Sequence, residues 1–344
     1  MAYNSGGRYS RQVLFPPIGA EGQERIRAAR VLVMGCGGLG GESASLLARA
    51  GVGFLRIVDR DVVELSNLQR QALFDEEDAR ACVPKAVAAA RRLERVNSDV
   101  TVEPIVADIH AGNILGLLSG IDLVVDGFDN FEGRFLLNDA CVREGLPWVY
   151  GACVGESGVS TLVVPGRTPC LRCIQPELPA VGAAPTCDTA GILGPAAHLV
   201  ASLEVAQALR WLVTREAPDP AVLVSADVWT LRLHRAELPP RESLPPCPCC
   251  VERRFEFLDA ATSPAELLCG RDAVMVRSLA GSPPSFPEIA ARLGPLGEVL
   301  VNEFVLRFSI APYELTLFRD GRCTVKGTAD TALARSLVAR YLGA

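Results

Sequence analysis

The chain has 344 residues, a formal net charge of −6, 49% hydrophobic and 22% charged residues. That length accommodates one large α/β domain and a smaller one, and that composition a well-packed globular protein. The acidic balance argues against a general nucleic-acid binder. Neither a secretory leader nor a membrane span is expected, because the N-terminus MAYNSGGRYSRQ lacks an apolar core and no run of about 18 apolar residues occurs.

In chain order, Arg8 and Arg11 lie in a segment expected to be a flexible polar arm, either solvated or carrying a cation to a phosphate site in a partner. An amphipathic helix is expected over Gln23–Ala29. Val31–Met34 reads as a short buried strand, followed at once by Gly35, Gly37, Gly38 and Gly40. Glu42–Ala50 reads as a helix and Phe54–Val58 as a second strand ending at Asp59. This β-turn-α-β unit places glycines where a nucleotide's phosphates approach backbone N–H groups at a helix N-terminus, with Asp59 where a ribose hydroxyl is read. The glycines alone fit a dinucleotide-dependent dehydrogenase equally well. The next segment does not: Asp61, Ser66, Asn67, Gln69, Arg70 and Gln71 are denser in polar groups than hydride chemistry needs, and suit a triphosphate.

Val83-Pro84-Lys85 opens a helix over Ala86–Val96, since proline is compatible with a first helical turn. Lys85 then stands at a helix N-terminus, where phosphate is also stabilised. Residues 100–107 alternate like a strand, and Ile121–Asp126 is an apolar run typical of a central parallel strand. Asp126 and Asp129 follow at its carboxyl end, the edge where open α/β sheets bind ligands. Asn130, Arg134 and Asn138 recur every four residues, so they share one helix face; an exposed helix shows such spacing by chance, but a strand-end carboxylate followed by that face is expected of a Mg²⁺–phosphate arrangement. Strands are expected at Trp148–Ala152 and Val159–Val164, and a strand pair over 222–236.

Twelve cysteines are many for this length. Cys170/Cys173 and Cys247/Cys250 form two C-x-x-C pairs, which read as a closed, structural, tetrahedral Zn²⁺ site in a reducing cytoplasm rather than as disulfides. Cys249 is an alternative ligand, but the spacing favours Cys250. Pro176–Pro185 reads as a mobile loop. Cys187 follows it, before a helix beginning near Ile192, a setting compatible with a nucleophile. His198, inside the long apolar helix over 196–213, is expected to be packed or capping. Residues 255–344 read as a small α+β domain, with strands at 273–278, 298–309, 313–319 and 322–326 and helices at 286–293 and 330–341.

Together RYSRQ, GCGGLG, DRDVVELSNLQRQ, the Pro84–Lys85 pair, DNFEGRFLLN, CLRC, TCDTAG and CPCC, in this order, resemble the MoeB/ThiF family of adenylating enzymes, relatives of ubiquitin-activating enzymes. The resemblance covers roughly residues 8–254. It implies a Rossmann-like doubly wound α/β sheet with structural zinc over residues 1–254, and a second domain over 255–344. It further implies ATP·Mg²⁺-dependent adenylation of the C-terminal glycine of a ubiquitin-like sulfur carrier ending in Gly-Gly. Carried over by motif, Gly38 and Asp59 lie against the nucleotide. Asn67, Arg70 and Lys85 contact its phosphates, Ser66, Leu68 and Gln69 belong to the same nucleotide-binding segment, Asp129 holds Mg²⁺ and Asn130 adjoins it. Arg11 reaches into a second subunit, implying a homodimer, and Cys187 matches the cysteine that in some members links covalently to the carrier. The competing readings are an NAD-dependent oxidoreductase and an adenylating enzyme acting on another peptide carboxylate.

Overall fold

A computed structural model describes residues 7–180, 186–260, 265–267, 272–277 and 284–343. Its chain divides into two compact units, residues 1–80 with 84–260, and residues 81–83 with 261–344. Residues 181–185 of the proline-rich stretch and residue 278 of an expected strand lie outside the described residues.

The strands are β1 Arg30–Met34, β2 Phe54–Asp59, β3 Thr101–Val106, β4 Leu123–Asp126, β5 Trp148–Val154, β6 Ser157–Val163, β7 Val222–Asp227 and β8 Arg232–Glu237 in the first unit. In the second they are β9 Ala265–Leu267, β10 Ala273–Val276, β11 Glu298–Val301, β12 Val305–Ile310, β13 Tyr313–Phe318 and β14 Cys323–Lys326. The helices are α1 Ser10–Val13, α2 Gly19–Ala28, α3 Gly38–Ala50, α4 Glu76–Arg80, α5 Lys85–Val96, α6 Ile114–Leu118, α7 Phe131–Glu144, α8 Leu171–Ile174, α9 Cys187–Ala190, α10 Gly194–Thr214, α11 Phe286–Leu293 and α12 Thr331–Leu342.

The first unit is built on one sheet in the order β3-β2-β1-β4-β5-β6-β7-β8. Pairings from β3 through β5 are parallel, and those from β5 to β8 antiparallel. The inner parallel strands β1 and β4 are apolar and almost wholly buried, as strands covered on both faces are. The chain reverses its direction of sheet growth between β1 and β4, the switch point at whose carboxyl ends open α/β sheets offer a ligand crevice. Phe135, Leu137, Trp148 and Ile114 fill the core between α7, α6 and the sheet. β8, the edge strand, is exposed along its length.

The second unit is an antiparallel sheet in the order β11-β12-β13-β14-β10-β9. Leu306, Phe308, Leu315, Leu317 and Val325 share one face and form a core with Phe286 of α11 and Leu337 of α12. The molecule is thus α/β with a smaller α+β unit.

Several boundaries differ from expectation. The arm around Arg11 is ordered: α1 is a helical turn, and Gln12 donates from Nε2 to Gln23 Oε1 (2.7 Å) and to the Ala50 carbonyl (2.9 Å). α3 begins at Gly38 instead of Glu42, because its glycines continue the helical backbone. Cys187 opens a separate four-residue turn, and the long helix starts only at Gly194. The segment 298–309 is a hairpin instead of one strand, since Asn302 turns the chain by accepting the N–H groups of Phe304 (2.7 Å) and Val305 (2.8 Å) on Oδ1.

Candidate active site

The loops leaving β1 and β4 meet. Gly127 N–H donates to the Met34 carbonyl at 2.7 Å. Gly35 has φ +90°, and a Cβ there would lie 2.4 Å from the Gly127 carbonyl oxygen, so only glycine permits this approach. A Cβ at Gly38 would merely touch Arg70 at 3.4 Å, and one at Gly37 would lie 3.7 Å from Gln71 Nε2. Internal packing therefore does not demand glycine at these two positions, and the α3 N-terminus beside them is left open to close approach.

Asp59 ends β2 behind this loop and is buried. Its Oδ2 accepts Cys36 N–H (2.6 Å) and its Oδ1 accepts Asp61 N–H (2.7 Å), so the carboxylate fixes the glycine loop from behind. Burial is the main cause raising its pKa above the usual carboxylate range, against the pull of Lys85. Lys85, the first residue of α5, is itself buried, and its Nζ lies 3.3 Å from Asp61 Oδ2. Lys85 is thus an inward-facing cation and not a solvated surface charge.

The polar segment after Asp61 divides its labour. Asn67 is buried and caps a short turn, its Oδ1 accepting Glu64 N–H at 3.2 Å while its carbonyl accepts the N–H groups of Arg70 and Gln71. Ser66 and Gln69 are exposed, and Leu68 and Arg70 half-buried. Arg70 donates from Nη1 to the Ser66 carbonyl at 3.1 Å. His198 Nε2 lies 3.3 Å from the Arg70 carbonyl, the packing role expected of it. Gln71, not singled out among the ligand-binding residues, is buried beside the glycine loop, and its Oε1 has no hydrogen-bond partner among the described residues.

Asp129 is exposed at the β4 corner, and Asn130 Nδ2 donates to its Oδ1 at 3.0 Å. Asn130 also caps α7, its Oδ1 accepting Gly133 N–H at 2.8 Å. The shared polar face expected of Asn130, Arg134 and Asn138 does not form one site: Arg134 and Asn138 are buried. Asn138 Oδ1 accepts Leu171 N–H (2.8 Å) and its Nδ2 donates to Cys249 Sγ (3.2 Å), so it belongs to the cysteine cluster. Arg60 was missed by sequence reasoning, although it adjoins Asp59. Burial alone would weaken its hold on the proton, but Asp61, Asp129 and Asp108 outweigh burial and keep it firmly charged.

Cys170, Cys173, Cys247 and Cys250 come together, every Sγ within 4.8 Å of the others, a grouping able to hold a metal ion. Cys249 is fully buried outside this group. Cys187 lies apart from it, half-buried, with Sγ 3.6 Å from the Cys153 carbonyl oxygen.

Residues 9–249 match the model of the ThiF family. The chain belongs to the ThiF family. It is 45% identical over 340 residues to the sulfur carrier protein ThiS adenylyltransferase of Bacillus subtilis, covering 98% of this chain and 99% of that protein. It is 40% identical to the SAMP-activating enzyme E1 of Haloferax volcanii, over 73% of this chain and 91% of that one. The crystal structure of Escherichia coli MccB with AMPCPP and MccA superposes with a TM-score of 0.61 at 25% identity, covering 71% of this chain and 75% of that one. The Bacillus match runs almost end to end, so the second unit of this ThiF-family chain is shared with that relative. No described helix is long and apolar enough to cross a membrane.

Proposed function

We propose that this chain adenylates the C-terminal glycine carboxylate of a ubiquitin-like sulfur carrier ending in Gly-Gly, consuming ATP and releasing pyrophosphate. The observation that carries the reading is the packing at the β1/β4 reversal: the glycine loop lies against Gly127 of the loop bearing Asp129, and Arg60, influenced by both Asp61 and Asp129, relates that corner to the buried Lys85–Asp61 pair. The nearly full-length likeness to an adenylyltransferase supports it. We take residues 1–254 as the adenylating domain and 255–344 as a second domain.

In the reaction, the carrier's carboxylate oxygen bonds to the α-phosphorus while the bond to the pyrophosphate oxygen breaks. Two anions must approach, so catalysis depends on positioning and on neutralising charge. The N–H groups at the start of α3, with Gly37 and Gly38 leaving space, receive the phosphates. Asp59 keeps a second lone pair on each oxygen for the ribose. Lys85 and Arg70 offset the developing charge, with Arg11 supplied by a second copy in a homodimer. Asp129 and Asn130 would hold Mg²⁺, which when bound would supply positive charge to offset that of the phosphates. Cys187 takes no part in this step and acts later, in sulfur transfer to the activated carboxyl group.

The four-cysteine group fits Zn²⁺. The Sγ atoms of Cys170 and Cys173 lie 3.8 Å apart, those of Cys170 and Cys247 3.7 Å and those of Cys173 and Cys250 3.5 Å, against about 3.8 Å between sulfurs of a tetrahedron whose Zn–S bonds are about 2.3 Å. All four positions are taken by protein, so the metal's role is structural.

The test is ATP–pyrophosphate exchange with carriers ending in Gly-Gly. Exchange is expected with such a carrier and not with one lacking the terminal glycines, and Asp129→Ala is expected to abolish it. Absence of exchange with every such carrier would sink the reading, and exchange driven equally by unrelated peptides would favour a different carboxylate.

A further inference from the structure

The corner bearing Asp129 is held from behind by a buried ion pair. Asp126, the last residue of β4, is fully buried. Its Oδ1 accepts Phe128 N–H at 2.9 Å, and its Oδ2 accepts Arg134 Nε–H at 3.1 Å. Arg134 stands in the first turn of α7, and its Nη2 donates to two carbonyls, Phe128 at 2.6 Å and Gly151 of β5 at 3.1 Å. Phe128 is therefore gripped at both its N–H and its C=O. The peptide that begins with the Phe128 carbonyl ends with the Asp129 nitrogen, and it is planar, so the Arg134 contact sets the direction in which the Asp129 backbone leaves the corner. Asn130 fixes the far side, tying Asp129 Oδ1 to the start of the same helix.

Only a planar fork with several fixed donors can hold a carboxylate and two carbonyls in this geometry; a lysine ammonium is a point charge on a flexible stem. The Asp126 and Arg134 charges face each other inside the protein, so the pair offers no charge to a phosphate. Its effect is on shape.

We infer that Arg134 is a positioning residue for the adenylation reaction: through the Phe128 carbonyl it orients the Asp129 carboxylate toward the metal–triphosphate. The inference rests on the reading that Asp129 holds Mg²⁺.

The test uses the full chain and a non-hydrolysable ATP analogue, titrated calorimetrically with and without Mg²⁺, beside a melting curve. Arg134→Lys retains the charge next to Asp126 and loses the fork. It is expected to fold, to bind nucleotide without Mg²⁺ as the wild type does, and to lose about tenfold of the Mg²⁺-dependent gain in affinity, the usual cost of removing a group that orients a metal ligand. Raised Mg²⁺ should restore its pyrophosphate exchange, whereas Asp129→Ala should not recover. The double variant Asp126→Asn with Arg134→Gln removes both charges together and should show the same loss. If the variants do not fold, or lose nucleotide affinity equally with and without Mg²⁺, or keep the full Mg²⁺ gain, the inference is overturned and the pair is structural only. A wild type with no Mg²⁺ gain, or an Asp129→Ala variant that keeps it, would overturn the Mg²⁺ reading itself.

Discussion

Lys85 has two possible duties, and a pair of variants separates them. Its side chain is 4% exposed and its Nζ lies 3.3 Å from Asp61 Oδ2, a carboxylate 21% exposed. Replacing Lys85 with methionine leaves that carboxylate without its nearest cation, next to buried Asp59. Removing one partner of a buried pair costs about 3–5 kcal/mol. Arg60 Nε still lies 4.0 Å from Asp61 Oδ1 and Asp61 is partly solvated, so the lower end applies, about 3 kcal/mol. For a unit of this size that corresponds to a melting temperature lower by roughly 6–12 °C. Adding Asp61→Asn removes the orphaned charge, and the double variant should regain most of that loss. If Lys85 acts on the phosphates as proposed, pyrophosphate exchange should stay abolished in both, because neither contains that cation. Differential scanning calorimetry and exchange on the same samples decide the matter. A double variant no more stable than Lys85→Met would show that the pair is not what Lys85 contributes to stability. Recovery of exchange in the double variant would show that Lys85 acts by neutralising Asp61 and not on the phosphates.

Other outcomes are equally checkable. Glu204 is fully buried in α10; Ser43 Oγ donates to its Oε2 at 2.9 Å, and burial, with Asp126 adding to it, pushes its pKa well above the usual value. A raised carboxyl pKa means the folded state binds the proton more tightly than the unfolded one, so its contribution is present in acid and lost as pH rises above the ordinary Glu value of about 4.3. Glu204→Gln should therefore gain on the wild type in melting scans from pH 5 to pH 8; a gap independent of pH would refute the assignment. Cys250→Ser should lose bound zinc, measured by elemental analysis, while Cys249→Ser should keep about one ion per chain. Equal losses would move Cys249 into the ligand set. Cys187→Ala should leave exchange unchanged and abolish any covalent carrier adduct seen by intact mass; lost exchange would place Cys187 in the first step.

Much of the site was legible because its signals are local. A strand, a glycine turn and a helix are neighbours in the chain, so the β1–α3–β2 cradle and the position of Asp59 follow from about thirty consecutive residues. The C-x-x-C pairs carry their own spacing, and the structure brings all four sulfurs together as that spacing implies. Failures occurred where meaning depends on what packs opposite. Spacing of four put Asn130, Arg134 and Asn138 on one side of α7, yet it could not say that the first would meet Asp129, the second Asp126 and the third the cysteine cluster. The arm around Arg11 looked mobile because the carbonyl of Ala50, which anchors Gln12, is 38 residues away.

The sequence by itself determined the parallel core, the open glycine loop and the paired cysteines, since each follows from periodicity or from contacts within a few residues. Only the tertiary structure decided that Lys85 turns inward to Asp61, that Arg60 sits among three carboxylates, and that Arg134 grips Phe128 instead of facing a phosphate. Those roles are set by burial and by partners far apart in the chain. Burial decides whether a charged side chain is a solvated ornament or must find a counter-charge and a full set of hydrogen bonds.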